Sequence, residues 1–230
     1  VGIATPPAKS RGMKKFDLKK LADAAMAERG LDPNYSALAR QQAERAQLPA
    51  VPEEAVDLRH LPWCSIDNGQ GEEVTSKDLD QLNVAEPLAQ GGYRVWIAIA
   101  DVDALAPKNS PIDQQAQRNT TTVYTAEKNY PMIHPRLSED LTSLNEGQDR
   151  LAVVSEMTVS PQGEVEDFRF VRALVNNHCK LNYDSLGRWF EGEGPLPQAL
   201  QTRPNVVKSL EVQDLAAQAI KSRRRQLGSL

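Results

Sequence analysis

Residues 91–103 read GGYRVWIAIADVD, and their alternation predicts a strand at the centre of a β-sheet. After the Gly-Gly break, the side chains from Tyr93 to Ile99 alternate between a face of tyrosine, valine and isoleucine and a face of arginine, tryptophan and alanine. Successive side chains of a strand point to opposite faces, and β-branched and aromatic residues favour strands. We expect the strand to end at Asp101, where the apolar run stops.

Three other segments have strand-like patterns. The runs RLAVVSEMTVS at 150–160 and EVEDFRFVRALV at 164–175 are joined by SPQGE, a turn-forming sequence that predicts a β-hairpin. PWCSID at 62–67 predicts a further strand that ends at Asp67. Antiparallel pairing is therefore expected for most of the sheet.

Helical segments lie between and after these strands. SPIDQQAQRNT and PRLSEDLTSL are expected to form short helices capped by Ser110 and Ser138. Longer patterns predict helices from about Tyr183 to Phe190 and from about Asn205 to Gln226. Together these elements predict an α+β fold, with a mostly antiparallel mixed sheet flanked by helices.

The N-terminal part of the chain has a different pattern. Residues 16–29 have apolar side chains at helical spacing, and a second helix is expected at about 36–47. The proline-rich residues 48–62 then predict an extended connector. We therefore divide the chain into a helical N-terminal segment with its linker, residues 1–51, and a second domain, residues 52–230.

Composition excludes several classes of protein. The 230 residues carry a net charge of −4, which argues against a duplex-DNA-binding protein with a broad basic face. Basic stretches at 9–20 and 221–225 are either solvated helix faces or local nucleic-acid contacts. No apolar run approaches the roughly 18 residues of a membrane span, so a cytoplasmic protein without a membrane partner is expected.

Cysteines and histidines give no metal-binding pattern. Cys64 and Cys179 lie in apolar, strand-like surroundings, which favours reduced core thiols over a disulfide. The three histidines are scattered without the spacing of a zinc site.

Carboxylates are concentrated between residues 67 and 80, where five acids accompany only one base, Lys77. Like charges this close repel unless water or a cation screens them. Gly69 and Gly71 favour a solvated, exposed turn. Alternatively, Asp78 and Asp80 point to one side of an extended segment and meet Asp67 from the upstream strand. Such oxygen ligands suit Mg²⁺, which leaves room for water and a substrate phosphate.

The order of the motifs resembles one known family. DLRHLPWCSID, KDLDQLNVAE, IAIAD, TTVY, YPMIHPRLSEDLTSLNEG and MTVSPQGEVED follow one another as in the catalytic domain of the ribonuclease II/R (RNB) exoribonucleases, over residues 56–230. The resemblance implies an Mg²⁺-dependent hydrolase. It would thread single-stranded RNA from its 3′ end and release nucleoside 5′-monophosphates processively.

The resemblance also assigns roles to residues of this chain. Asp67, Asp78 and Asp80 match the acids that hold the metal and shape the cleavage site. Tyr124 matches a tyrosine that packs on the terminal base, and Tyr183 matches one along the ribose path.

Two departures from the family pattern concern the metal site. Gln81 stands where the family has another aspartate; its amide oxygen can ligate Mg²⁺ but brings no charge, so weaker metal binding or slower turnover is expected. An inserted GQGEE-like turn lengthens the spacing between Asp67 and Asp78, which raises the hypothesis that Glu72 or Glu73 substitutes as a ligand.

The resemblance further implies that the family's domain continues past the position of Leu230. We therefore expect the remainder of that domain as a partner, a monomer when complete, and incomplete activity for these 230 residues alone. Two alternatives stay open: an RNA-binding relative that has lost hydrolysis, and a protein-interaction module built on the N-terminal helices.

Overall fold

The computed structural model describes residues 17–228, and a mixed sheet of seven strands forms its centre. Two small two-stranded ribbons accompany this sheet. The strands are β1 (Val56–Asp57), β2 (Cys64–Asp67), β3 (Gly69–Gln70), β4 (Glu73–Val74), β5 (Gln81–Pro87), β6 (Tyr93–Ala100), β7 (Val123–Tyr124), β8 (Asn129–Tyr130), β9 (Asp149–Val159), β10 (Val165–Asn176) and β11 (Cys179–Asn182).

Helices surround the sheet, and the predicted α+β class is confirmed. They are α1 (Leu18–Glu28), α2 (Ala37–Arg45), α3 (Pro111–Asn119), α4 (Tyr183–Phe190) and α5 (Pro204–Gln226), with 3₁₀ turns at Val102–Ala104 and Gln198–Leu200 and a π-helical turn at Arg136–Leu141.

The large sheet has the order β1-β10-β9-β6-β5-β2-β11. The predicted β9–β10 hairpin is confirmed, and pairing is antiparallel except between β1 and β10 and between β2 and β11. Thus β6, the strand predicted first from the sequence, occupies the middle of the sheet.

The sheet curls strongly. β10 and β11 are five strand spacings apart, about 24 Å in a flat sheet, yet only Asn177 and His178 join them. That link spans at most about 11 Å. The end of β10 therefore meets β2 directly: the His178 amide donates to the Trp63 carbonyl at 2.9 Å, and Asn177 Nδ2 donates to Ser65 Oγ at 3.0 Å.

The two faces of β6 differ in burial. Trp96, Ala98 and Ala100 lie in the main core with Trp63 and Leu82, whereas Ile99 on the other face is exposed. The tryptophan and alanine face is thus the core face. A second cluster contains Cys64 and Cys179, both buried free thiols as predicted.

One predicted helix cap is wrong. The turn from PRLSEDLTSL begins at Arg136, so Ser138 lies inside it and does not cap it. His134 takes this role: its carbonyl accepts from the Leu137 amide at 2.8 Å, and its Nδ1 accepts from the Arg136 amide at 3.2 Å. The imidazole thus satisfies one of the free amides of the first turn.

The N-terminal helices pack on the rest of the protein. α2 buries Ala39 and Ala43 against Ile112 of α3 and Leu137. α1 begins one residue after its cap, Asp17, close to the predicted start. Phe16 and most of the basic stretch at 9–20 lie outside the described residues. The division of the chain near residue 52 stays a prediction. Among residues 17–228, no helix combines the length and apolar character that a bilayer span requires.

Candidate active site

Asp67, Asp78 and Asp80 line one open cavity of about 590 Å³. Asp67 ends β2, and the other two lie just before β5. Leu79 between them is buried in the main core, so alternation along the backbone turns its two neighbours toward the cavity. The structure thus brings together the three aspartates predicted from the sequence.

A hydroxyl and a backbone amide hold the Asp67 side chain in place. Its Oδ1 accepts from Ser76 Oγ at 2.7 Å and from the Asn68 amide at 2.6 Å. Between Asn68 and Ser76 the chain makes the β3–β4 ribbon, which contains the GQGEE segment interpreted above as an insertion. Residues on both sides of this ribbon therefore contact Asp67.

Ser143 fixes the segment that carries the other two aspartates. Its hydroxyl donates to the Lys77 carbonyl at 2.7 Å and accepts from the Leu79 amide at 3.1 Å. The adjacent Leu144 amide donates to the Leu79 carbonyl at 2.7 Å. On the other side of Leu79, the Asp80 carbonyl accepts from the Ala100 amide of β6 at 2.9 Å. The aspartates are held through their backbone, which leaves their carboxylates available.

The cavity is electrostatically unfavourable for its own carboxylates. Partial burial raises the pKa of Asp80, and repulsion from Asp67 and Asp78 raises it further. A bound cation would remove this repulsion. The cavity therefore has the charge of a cation site.

The donor set fits Mg²⁺, a hard cation that binds through one or two carboxylates plus water and substrate phosphate. Among residues 17–228, no group of three or more His, Cys, Asp or Glu side chains is arranged so that it could hold a metal ion. Coordination of one ion by all three aspartates therefore stays a prediction and would require their side chains to rotate; with one or two of them in contact, water and phosphate would supply the other ligands.

Tyr124 lines the same cavity, and its contact with a terminal base stays a prediction. It lies on β7 of the β7–β8 ribbon, and its side chain is 70% exposed. Asn129 and Pro131 of the same ribbon and its continuation also line the cavity. An exposed aromatic ring beside an acidic cavity offers a stacking surface for a base.

Tyr183 lies in a different cavity. It is the first residue of α4 and lines a space of about 640 Å³ with Glu72 and Arg188. Asn182, just before it, pairs with Asp67 across β11 and β2 and so connects the two regions. Its Oδ1 caps α4 by accepting from Ser185 N at 2.8 Å, and its Nδ2 donates to the Gly71 carbonyl at 2.9 Å, both at the Tyr183 cavity.

The other proposed metal ligands are not brought to the three aspartates. Gln81 does not line their cavity, and its Nε2 donates to Asn83 Oδ1 at 2.9 Å. Glu72 Oε2 accepts from the Gln198 amide at 3.1 Å, at the side of the Tyr183 cavity. Ligation by Gln81 stays a prediction, and it would require this side chain to rotate.

Charged residues elsewhere have structural partners. Asp101 is buried, lies 2.7 Å from Arg172 Nε, and lines a separate cavity of about 380 Å³. Arg118 pairs with Asp32 and Arg136 pairs with Asp140.

Arg150 is also buried. Its two terminal nitrogens donate to the backbone carbonyls of Asp149 and Asp140. This arginine therefore braces the backbone at the start of β9.

Sequence reasoning missed the residues that support the site. Ser76, Ser143 and Asn182 are small polar residues whose role depends on hydrogen bonds across 9 to 111 positions of sequence. The one signal was Ser143 inside the family-like block LTSLNEG.

A family model described as the RNB domain matches residues 55–230 of this chain. RNase R of Escherichia coli (strain K12) is 37% identical over 172 residues, which are 70% of this chain and 20% of that protein. Exoribonuclease 2 of Edwardsiella piscicida is 37% identical over 139 residues, 60% of this chain and 21% of that protein.

Solved structures give the same fold. Mycoplasma genitalium RNase R, in complex with ribose-methylated single-stranded RNA, superposes with a TM-score of 0.80 at 24% identity. The alignment covers 91% of this chain and 32% of that one. The chain spans about a fifth of the length of the curated relatives it matches.

Proposed function

The chain belongs to the RNB domain family, and we propose that its acidic cavity is the hydrolytic centre of a 3′-to-5′ exoribonuclease. The substrate is single-stranded RNA, the cofactor Mg²⁺ and the product nucleoside 5′-monophosphates. One observation carries the proposal: Asp67, Asp78 and Asp80 come from separate segments to a single cavity that also exposes Tyr124. Relatives named ribonuclease R and exoribonuclease 2 support the reaction class.

The three aspartates would hold the cation and thereby admit a phosphate to a cavity that otherwise repels it. When bound, Mg²⁺ polarises the scissile phosphodiester and orients the attacking water. Ser76 keeps the Asp67 carboxylate turned into the cavity, and Ser143 keeps the Asp78 to Asp80 backbone against the sheet. The chain thus supplies a fixed set of acceptor oxygens.

Tyr124 would bind the substrate by stacking on one of its bases. Base stacking on an aromatic ring contributes roughly 1–3 kcal/mol and tolerates any base, so it suits an enzyme that removes nucleotides irrespective of sequence. The second tyrosine, Tyr183, would contact RNA further from the aspartates, because it lies in the neighbouring cavity. Processive action, a cytoplasmic location and a monomeric state stay predictions from the family resemblance.

The test is RNA shortening that depends on both the metal and Asp80. The complete protein is incubated with RNA carrying a 3′ overhang and with blunt RNA, with Mg²⁺ or with chelator, and mononucleotides are measured. Asp80→Asn keeps the shape of the side chain and removes its charge; we expect a loss of about 100-fold or more, as for removal of one charge-stabilising group elsewhere.

The matched control is Asp167→Asn, the same change at an exposed carboxylate of β10 outside the cavity. It should retain full activity. Shortening that persists in chelator, or that survives Asp80→Asn, would refute the proposed centre.

A second candidate function is RNA binding without hydrolysis. It is favoured by the absence of a complete three-acid cage among residues 17–228 and by Gln81 in place of a family aspartate. The same assay separates the two functions, since tight binding without mononucleotide release supports the binding protein.

A further inference from the structure

The N-terminal helix α1 holds the ribbon that carries Tyr124. Asp23 on α1 accepts a hydrogen bond from Tyr130 Oη at 2.7 Å, and Lys128 Nζ lies 3.1 Å from the same carboxylate oxygen. Lys128 and Tyr130 flank Asn129, which lines the acidic cavity. This helix precedes residue 55, where the RNB family match begins.

A second tether fixes the chain after the ribbon. Tyr35, between α1 and α2, donates through its hydroxyl to the Pro131 carbonyl at 2.6 Å, and the Ile133 carbonyl lies 3.1 Å from the same oxygen. Pro131 and Ile133 both line the cavity. The N-terminal segment therefore supports one wall of the cavity through two contacts, one made by Asp23 and one made by Tyr35.

The ribbon needs this support. β7 and β8 have two residues each, and an isolated two-stranded ribbon is marginally stable in water. Tyr130 is only 4% exposed and anchors the ribbon, while Tyr124 on the paired strand is left in solvent. Burial and the bond to Asp23 raise the pKa of Tyr130 to about 12, so its hydroxyl stays protonated and donates at any physiological pH.

We propose that the N-terminal helical segment positions Tyr124 for base stacking, and that Asp23 is the positioning residue that acts through Tyr130. The inference rests on the proposed function, because it takes Tyr124 as an RNA contact. It gives the N-terminal helices a task within the protein: they set the affinity for the RNA end and leave the metal site unaffected.

The experiment measures binding of a single-stranded oligoribonucleotide with hydrolysis-resistant linkages, such as phosphorothioates, in Mg²⁺, so that the cation is present and cleavage does not interfere. Removing the tether in Asp23→Ala should weaken binding about three- to tenfold, a part of the full effect of a lost stacking ring. Tyr130→Phe keeps the buried ring and the pair between Asp23 and Lys128, and removes only the hydroxyl bond. We expect about two- to fourfold weaker binding from it.

A double-mutant cycle separates positioning from general destabilisation. If Asp23 acts by placing Tyr124, then Asp23→Ala should change binding by less than about twofold in a Tyr124→Ala background, because the ring it places is gone. With cleavable RNA in Mg²⁺, Asp23→Ala should raise KM and leave kcat within about twofold. Glu28→Gln, an exposed neutralisation on the same helix, is the matched control and should bind as the unmodified protein does.

The outcomes distinguish this inference from the proposed function. If Tyr124→Ala weakens binding but Asp23→Ala and Tyr130→Phe do not, the positioning role is refuted and the proposed function stands. If Asp23→Ala costs the same with and without Tyr124, its effect is merely structural and the inference also fails. If neither the unmodified protein nor Tyr124→Ala binds the oligonucleotide, the proposed function itself is refuted.

Discussion

Asp80 carries a conflict between function and stability. The proposed function needs this carboxylate charged so that it attracts a cation, yet partial burial and two neighbouring aspartates disfavour its charge and raise its pKa. An acid whose pKa is raised in the folded state binds protons more tightly there than in the unfolded chain. Stability therefore falls as pH rises through the interval from the ordinary aspartate pKa to the raised one.

We predict that Asp80→Asn stabilises the protein at neutral pH in chelator. The gain should stay below the 2–4 °C that about 1 kcal/mol produces in a domain of this size, because Asp80 is exposed enough for water to screen the repulsion. Melting curves at pH 7.5 and 4.5 test this. The advantage should shrink at the lower pH, where Asp80 itself takes up a proton, and Mg²⁺ should reverse it by stabilising only the unmodified protein. A destabilised variant at pH 7.5 would contradict the prediction.

At the scale of elements, one side chain from a distant turn holds the segment that carries Asp78 and Asp80. Ser143 is 1% exposed and bridges the Lys77 carbonyl and the Leu79 amide. Removing its hydroxyl leaves two backbone groups without their partner at a buried position. Each unsatisfied group costs about 1–3 kcal/mol unless water enters.

We therefore predict that Ser143→Ala lowers the free energy of unfolding by about 1–3 kcal/mol and also lowers kcat, because Asp78 and Asp80 lose their fixed backbone. Chemical denaturation and the mononucleotide assay measure the two effects.

Ser160→Ala is the matched control for Ser143. Ser160 is also buried, and its Oγ accepts from the Glu164 amide at 3.1 Å in the β9–β10 turn, away from the aspartates. It should lose stability and retain kcat. Equal losses of kcat in both variants would show that Ser143 has no special role in the site.

At the scale of the whole molecule, a close backbone contact joins helix α5 to the β9–β10 turn. Gly163 in this turn has φ +80°, and a Cβ built there would lie 2.1 Å from the Ala219 carbonyl oxygen of α5. Both the backbone conformation and the close approach require glycine. The helix thus packs directly against the β9–β10 turn, at a point where no side chain fits between the two backbones.

Gly163→Ala should lower the free energy of unfolding by about 1–3 kcal/mol for overpacking, added to about 1–2 kcal/mol of backbone strain. Gly147→Ala, at φ +73° with open space around the built Cβ, shows only the strain. Chemical denaturation of both variants isolates the packing cost as their difference. Equal losses would mean that α5 yields to the extra methyl group.

Local signals explain why much of the fold was predictable. The alternation in β6, the turn sequence between β9 and β10 and the periodicity of α4 all act within a few residues, and each of these elements is present where predicted. The cap at Ser138 failed because His134 satisfies the first amides of that turn through its own carbonyl and ring. His134, four positions before Ser138, therefore serves the start of the turn in place of the serine that usually does so.

The sequence by itself determined the class of fold, the central strand and the three aspartates as one candidate site, since alternation is a local property of the chain and the order of motifs can be read along it. Only the tertiary structure decided that Tyr183 and Glu72 lie in another cavity, that Gln81 bonds to Asn83, and that Asp23 supports the ribbon of Tyr124. The physical reason is the curled sheet. Its closure places the two-residue link between β10 and β11 against β2 and so brings distant side chains together, and no local pattern encodes that closure.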